Sequence, residues 1–217
     1  MNHFCRPVTR SVALITLFGA LFGVGISVDA APNEASSDNK TFTPLFNGKD
    51  LTGWKAEGGA RWQVMDGLIV GRQGSKNEAG DLFTEKSFKD FELKVTFKVV
   101  WPANTGVWYR YQSAKQAFQA DILEYKEPLA LTGSLYCTGK MFLQTNTDKT
   151  LVNREDWNTF VIRAQGDHHQ VFINERKVVD VRDDTSDHGR IGFQIHAGDQ
   201  FEKMRVMIKQ IGIRELR

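Results

Sequence analysis

The stretch Phe91-Glu92-Leu93-Lys94-Val95-Thr96-Phe97-Lys98-Val99 alternates apolar side chains with polar or charged ones along its whole length. A period of two is typical of a β-strand that buries one face and exposes the other. The same pattern recurs at 107–111, 159–164, 170–174, 177–181, 190–196 and 205–209. Glycine-containing clusters such as Asn47-Gly48, Asp66-Gly67 and Gly166-Asp167 separate these stretches and indicate tight turns.

The number of these strands predicts the fold class. Apart from the apolar N-terminal segment, no amphipathic helix of more than about two turns is visible. Many short strands with short turns indicate two packed sheets, so we expect an all-β protein, a jelly-roll sandwich of two antiparallel sheets. The apolar positions change frame between Ile208 and Ile211, which predicts a β-bulge near Lys209.

The first 30 residues have the organisation of a secretory signal peptide. Arg6 and Arg10 precede an apolar stretch at 11–27, and small residues lead up to Ala30. We expect cleavage after Ala30, a disordered polar leader at 31–40 and one jelly-roll domain at 41–217, exported to the periplasm or the medium. An uncleaved membrane anchor is the alternative, but the apolar run is short for a span of about 20 residues.

Charge and cysteine content exclude several classes of protein. The net charge of +2 gives no basic surface for nucleic acid or for anionic membranes. Signal cleavage would leave Cys137 as the only cysteine, so no intrachain disulfide can form. We therefore expect no nucleic-acid partner, no membrane association after cleavage and a fold that is held by its core.

Four groups of motifs carry a family resemblance. They are LFNGKDLTGW at 45–54 with WQVMDG at 62–67, LFTEK at 82–86 with FKDFEL at 88–93, NTGVWYR at 104–110, and WN at 157–158 with GRIGFQIH at 189–196. In this order and spacing they resemble the 3-keto-disaccharide hydrolase family of exported bacterial proteins, over about residues 42–216. The resemblance implies a concanavalin-like jelly roll. It also implies cleavage of 3-keto-glycosides by elimination, with hydration of the resulting 3-keto-2-hydroxyglucal.

The stretch QADILE at 119–124 bears on the mechanism. It is similar to the E-x-D-x-x-E strand of the laminarinase-like jelly-roll glycosidases, with Gln119 in place of the nucleophilic glutamate. A retaining glycosidase needs a carboxylate nucleophile, and an amide cannot replace it. In the 3-keto-disaccharide hydrolase family the strand usually reads E-[VY]-Q-[IVM]-L-D, so this chain exchanges acid and amide at Gln119 and Asp121 and has Glu124 in place of the last aspartate.

Elimination from a 3-keto-glycoside requires few catalytic groups. The C3 carbonyl makes the C2 proton acidic, and the glycosidic oxygen on C1 can then leave. The reaction needs a general base near C2, hydrogen-bond donors or a cation facing the C3 oxygen, and an acid for the leaving oxygen. No covalent nucleophile is required, which agrees with Gln119.

Strand periodicity groups the candidate site residues. Residues two apart on a strand share a face, so we expect Trp108 with Arg110 and Gln119 with Asp121. Glu124 would reach that face only through a bulge. Gln194 and His196 face away from Phe193 and Ile195, which are predicted to be core. Tyr136 follows a turn that resembles the family's G-[AS]-L-Y.

We assign Asp121 or Glu124 as the general base, Arg110 as the stabiliser of the enolate and His196 as an acid or a metal ligand. Trp108 would stack on the sugar. The remaining substrate contacts would be Gln119, Tyr136 and Gln194.

Each assignment has a structural alternative. Arg110 could hold the sheet through an ion pair, and Asp121 or Glu124 could be solvated surface carboxylates. His196 could be a structural histidine, and Trp108 could belong to the core.

The residues also leave the cofactor open. Asp121, Glu124 and His196 together would suit Ca²⁺, Mn²⁺ or Zn²⁺, and the metal stays unknown. No motif binds a dinucleotide.

Two functions follow. The first is an enzyme acting on 3-keto-glycosides, which needs a separate sugar 3-oxidoreductase to supply its substrate. The second is a non-catalytic, lectin-like carbohydrate-binding module.

Overall fold

The computed structural model describes residues 41–216, so the predictions for 1–30 and 31–40 lie outside the described residues. Two sheets, antiparallel throughout, pack face to face, which confirms the expected jelly-roll sandwich. Within 41–216, no helix has the length and apolar character needed to span a membrane.

The first sheet has eight strands. Its order is β13 (Arg176–Arg182), β12 (His168–Ile173), β11 (Asn158–Gln165), β6 (Phe91–Val100), β15 (Arg205–Glu215), β4 (Leu68–Arg72) and β3 (Arg61–Met65), with β1 (Thr43–Pro44) paired to β15. The second sheet has seven strands. Its order is β10 (Met141–Asn146), β9 (Ala130–Cys137), β8 (Gln116–Tyr125), β7 (Asn104–Ser113), β14 (Gly189–Ile195), β5 (Gly80–Phe88) and β2 (Trp54–Gly58). Short 3₁₀ turns lie at Lys149–Leu151 and Asp199–Phe201.

The alternating stretch that predicted the fold forms β6, near the centre of the first sheet. Its apolar positions are all buried in the core between the sheets, as the period of two predicted. Phe193 and Ile195 contribute to the same core from β14 of the second sheet. Cys137 is a buried free thiol.

The bulge predicted near Lys209 is confirmed. The register between β15 and β6 shifts between Ile208 and Gln210. The extra residue moves Ile211 and Ile213 into the same core as Ile208, which explains the change of frame in the sequence.

A second bulge, in β7, is not evident from the sequence. Trp108 pairs with Gly192 of β14 and Tyr111 pairs with Arg190, so three residue steps on β7 match two on β14. Arg110 lies in this bulge with a φ of 48°, in the left-handed region. As a result, Tyr109 and Arg110 are both buried, whereas Trp108 and Tyr111 contact each other on the opposite face.

Candidate active site

A cavity of about 300 Å³ lies on the face of the second sheet that points away from the core. Strands β7, β8, β9, β10 and β14 all contribute side chains to it. The lining residues are Asn104, Trp108, Gln119, Asp121, Leu123, Tyr125, Tyr136, Met141, Phe142, Gln194 and His196. Six of the eight predicted site residues are among them, including the pairs that strand periodicity grouped, Gln119 with Asp121 and Gln194 with His196.

Cross-strand register explains why these residues meet. Asp121 pairs with Gly106, Gly106 with Gln194, and Gln194 with Asp81, which forms one row across four strands. Because Gly106 has no side chain, the sheet surface between Asp121 and Gln194 is left uncovered, and this gap forms the floor of the cavity. A Cβ atom on Gly106 would lie 2.7 Å from Cγ of Gln119, well inside van der Waals contact.

Asp121 is the most perturbed group in the cavity. The residue is 3% exposed, and its side-chain carboxyl accepts no hydrogen bond from any residue in 41–216. Burial alone therefore raises the pKa of the Asp121 carboxyl well above its usual range. A carboxylate with a raised pKa at the wall of a cavity has the properties of a general base.

Other polar side chains in the cavity also lack partners within the described part of the chain. The buried Nε2 atom of Gln119 has none, and neither do the side chains of Asn104, Gln194 and Tyr136. Buried polar groups are normally paired because an unsatisfied one costs about 1–3 kcal/mol. That cost applies to Gln119, while Asn104, Gln194 and Tyr136 are partly exposed, and all four can hydrogen-bond to a polar ligand.

His196 is exposed at the rim of the cavity. Its Nδ1 lies 2.7 Å from the carbonyl oxygen of Ala197, to which a protonated Nδ1 donates. In the neutral ring this tautomer leaves Nε2 as an acceptor for a ligand hydroxyl.

Trp108 forms one wall and is oriented by a residue that the sequence did not indicate. Its Nε1 donates to Oδ1 of Asp81 at 2.9 Å, and its ring lies edge-on to Tyr136. Burial raises the pKa of Asp81 to about 6, while the bond from Trp108 opposes that rise and the nearby Glu57 carboxylate reinforces it. Asp81 lies on β5, and only its pairing with Gln194 links it to the motif at 189–196.

An arginine missed by the sequence analysis also lies on this face. The Arg190 guanidinium stacks over the ring of Phe83 at 4.3 Å and pairs with Glu57 at 2.9 Å. The same Phe83 ring packs against Tyr111, 4.2 Å away between centroids. The stacked side chains of Arg190, Phe83 and Tyr111 cover the surface of the sheet on the side of Trp108 that is farther from Asp121. Arg190 belongs to the GRIGFQIH motif. The only sequence signal for its position is that it lies four residues before Gln194 on the same strand, so that the two side chains share a face.

The assignment of Arg110 as an enolate stabiliser is wrong. The bulge turns its side chain away from Trp108, and the residue is fully buried. Its guanidinium donates to Oδ1 of Asp90 at 2.9 Å and to three backbone carbonyls. These belong to Lys89, Gly166 and Ser186. Arg110 therefore joins loops of the sandwich, as its structural alternative predicted.

The structure also separates Glu124 from the cavity. No bulge interrupts β8 between Ala120 and Glu124, so Glu124 takes the face opposite to Asp121. It is exposed and pairs with Arg154. Since the proposed trio of Asp121, Glu124 and His196 does not converge, it cannot hold a cation. Residues 41–216 contain no group of three metal-ligating acidic, histidine or cysteine side chains.

Comparison with known proteins identifies the family. The sequence-family model described as a 3-keto-α-glucoside-1,2-lyase-like domain matches residues 41–214 of this chain. The chain belongs to this family. A 3-keto-disaccharide hydrolase of Bacteroides thetaiotaomicron is 32% identical over 98 residues, a match that spans 40% of this chain and 34% of that protein. The match thus spans about a third of the length of that relative.

Solved structures show the same fold. A candidate glycosyl hydrolase of Parabacteroides distasonis superposes with a TM-score of 0.61 at 23% identity, covering 81% of this chain and 94% of that one. The lumenal domain of VIP36, bound to Ca²⁺ and Man₃GlcNAc, has a TM-score of 0.60 at 13% identity, covering 82% and 91%. Membership of the family supports a carbohydrate-active role, whereas the solved structures, at these identities, show the fold alone.

Proposed function

We propose that this chain cleaves 3-keto-glycosides by removing the C2 proton and eliminating the C1 substituent. The observation that carries the proposal is Asp121, a buried carboxylate with no hydrogen-bond partner in 41–216, at the wall of a cavity lined by other unpaired polar groups. Membership of the 3-keto-α-glucoside-1,2-lyase-like family supports the substrate class and an α-glucoside.

The proposed chemistry needs no nucleophile. Asp121 accepts the C2 proton, and the electrons of the C2–H bond pass into an enolate whose charge lies on the C3 oxygen. The C1–O bond then breaks, C1 and C2 become doubly bonded, and the proton on Asp121 returns to the departing oxygen. The products are a 3-keto-2-hydroxyglucal and the free alcohol, and hydration of the glucal gives the 3-keto sugar.

Neutral donors take the part that the sequence analysis gave to Arg110. The amide groups of Gln119, Asn104 and Gln194 line the cavity with free hydrogen-bonding capacity. Amide N–H groups that are fixed in position stabilise a developing oxyanion, and each such donor contributes about 10²–10³ in rate at other enzymes. Trp108 offers its ring to an apolar face of the sugar.

The proposal extends to the cellular setting. The signal peptide predicted at 1–30 supports a reaction outside the cytoplasm. A separate oxidoreductase must oxidise the sugar at C3, because the chemistry begins from a ketone and the sequence carries no dinucleotide motif.

The test compares the purified chain with its Asp121→Asn variant on 3-keto-trehalose and on a 3-keto-β-glucoside. We expect the wild type to release alcohol together with the ultraviolet absorbance of the keto-glucal, faster from the α-linked substrate. The variant should lose at least about 10²–10⁴ in rate, because a positioned base contributes that much. Gln63→Glu, on β3 of the other sheet, is the control for a charge change. Turnover by Asp121→Asn at the wild-type rate would remove Asp121 as the base.

The second candidate is a lectin-like module. Gln119 in the nucleophile position and the sugar-bound structural neighbour favour it. It predicts binding of unoxidised glycosides with no product from either keto-substrate. A chelator added to both assays reports whether a cation takes part in turnover or in binding.

A further inference from the structure

We propose that the cavity takes a glycoside whose leaving group is aromatic, and that this group binds on an apolar wall formed by Leu123, Tyr125, Met141 and Phe142. The inference rests on the proposed function and names the class of substrate. It follows from the unequal chemistry of the two sides of the cavity.

The side chains of the cavity are segregated. Asn104, Gln194 and His196 form a polar wall from β7 and the end of β14. The apolar wall is built by β8 and β10, with Tyr136 of β9 between them. Asp121 lies on β8, with the polar side chains of β7 and β14 on one side and β9 and β10 on the other, and the two walls meet where Leu123 pairs with Asn104. A sugar ring that meets the polar wall with its hydroxyls and Asp121 with its C2 proton therefore directs C1 toward the apolar wall.

Two of the four side chains of the apolar wall are exposed. Met141 is 51% exposed and Tyr125 is 42% exposed, and both belong to the five exposed large hydrophobic side chains in 41–216. The Tyr125 and Phe142 rings lie 5.9 Å apart, and Phe142 and Tyr136 lie 6.4 Å apart. Exposed apolar side chains that adjoin a cavity mark a ligand-binding surface better than single ones elsewhere do.

A second sugar fits this wall poorly. The only side-chain polar atom among its four residues is the Tyr125 hydroxyl. Hydroxyl groups of a sugar leaving group would be removed from water without partners, which is unfavourable. An aromatic ring has no such groups, and it can pack against Phe142, Tyr125 and the Met141 sulfur.

The experiment uses three 3-keto-α-glucosides whose leaving groups are all primary alkyl alcohols: 2-phenylethanol, ethanol and the C6 hydroxyl of glucose. The acidity of the leaving oxygen varies little, so the phenyl ring is the main difference. We expect kcat/KM for the phenylethyl substrate to exceed that for the ethyl substrate about tenfold. Phe142→Ala and Met141→Ala should each reduce that ratio. Met65→Ala, at an equally exposed methionine on β3, should leave it unchanged.

Binding of unoxidised 2-phenylethyl α-glucoside, followed by tryptophan fluorescence, separates the two proposals. If no substrate turns over, but this ligand binds more tightly than ethyl α-glucoside and Phe142→Ala abolishes the difference, the proposed function fails and the aromatic subsite stands. Turnover with equal kcat/KM for phenylethyl and ethyl substrates overturns the subsite alone. So does a preference for the substrate linked through the C6 hydroxyl of glucose, or a ratio that neither variant changes. Absence of both turnover and binding overturns both.

Discussion

Two buried charged residues, Asp121 and Arg110, lie on opposite faces of the second sheet and differ in how their charges are compensated. Four acceptors surround the Arg110 guanidinium, so its burial is accompanied by hydrogen bonds. The Asp121 carboxyl has no donor in the described chain, and burial raises its pKa well above the usual range. A satisfied buried charge indicates a structural role, whereas an unsatisfied one at a cavity indicates a role that a ligand completes.

Replacing Arg110 should therefore affect folding rather than chemistry. Arg110→Met leaves Asp90 and three carbonyls without their donor, and we expect the free energy of unfolding to fall by about 3–5 kcal/mol. Urea denaturation measures the loss. Arg154→Met, which breaks the exposed pair with Glu124, is the matched control and should cost under about 1 kcal/mol. A stable Arg110→Met protein without turnover would contradict this placement.

At the scale of the strands, β7 makes the cavity possible because Asn104, Gly106 and Trp108 alternate on one face. Gly106→Ala adds a methyl group at the floor, 2.7 Å from Gln119 Cγ and 2.9 Å from the Ala120 carbonyl oxygen. We expect KM to rise at least about tenfold, since the amide that meets the substrate must move. Gly192→Ala is the steric control, because its methyl group would meet the Phe83 ring outside the cavity. Equal KM changes in the two variants would show that the effect is general strain.

The strands also show how far the sequence could predict the site. Regular alternation correctly predicted that Gln119 shares a face with Asp121 and that Gln194 shares one with His196. The same alternation, counted back four residues from Trp108, predicts that Asn104 lies on the cavity face. Arg110 was beyond prediction because a non-glycine residue in the left-handed region leaves no mark in an alternating pattern. Asp81 was missed because its strand meets the site only through long-range pairing.

For the whole molecule, buried titratable groups make opposing contributions to stability. Burial raises the pKa of Asp81 to about 6, so between pH 3.8 and about 6 the folded state holds a proton that the unfolded state has lost. Stability falls as the pH rises through that window. Burial lowers the pKa of His169 to about 4, so between pH 4 and 6.5 the unfolded state holds the extra proton and stability rises with pH.

Asp81→Asn should remove one of these contributions. We expect its melting temperature to rise more steeply than that of the wild type from pH 4 to 6, and to exceed it by about 2–4 °C at pH 7. Thermal unfolding followed by circular dichroism over this range measures both effects. Parallel curves for the two proteins would show that the Asp81 carboxyl titrates as an ordinary surface group.

The bulge at Arg110 has a consequence for how this segment can evolve. The inward–outward alternation of side chains is offset by one position between residues 104–108, whose outward side chains face the cavity, and residues 111–113. Substitutions on either side of the bulge keep this alternation. Deletion of one residue at 109–111 would remove the offset and exchange the inward and outward side chains beyond that point. Length in this segment is therefore under stronger constraint than composition. A comparison of relatives that counts residues without counting the bulge will assign this arginine to the wrong side of the sheet.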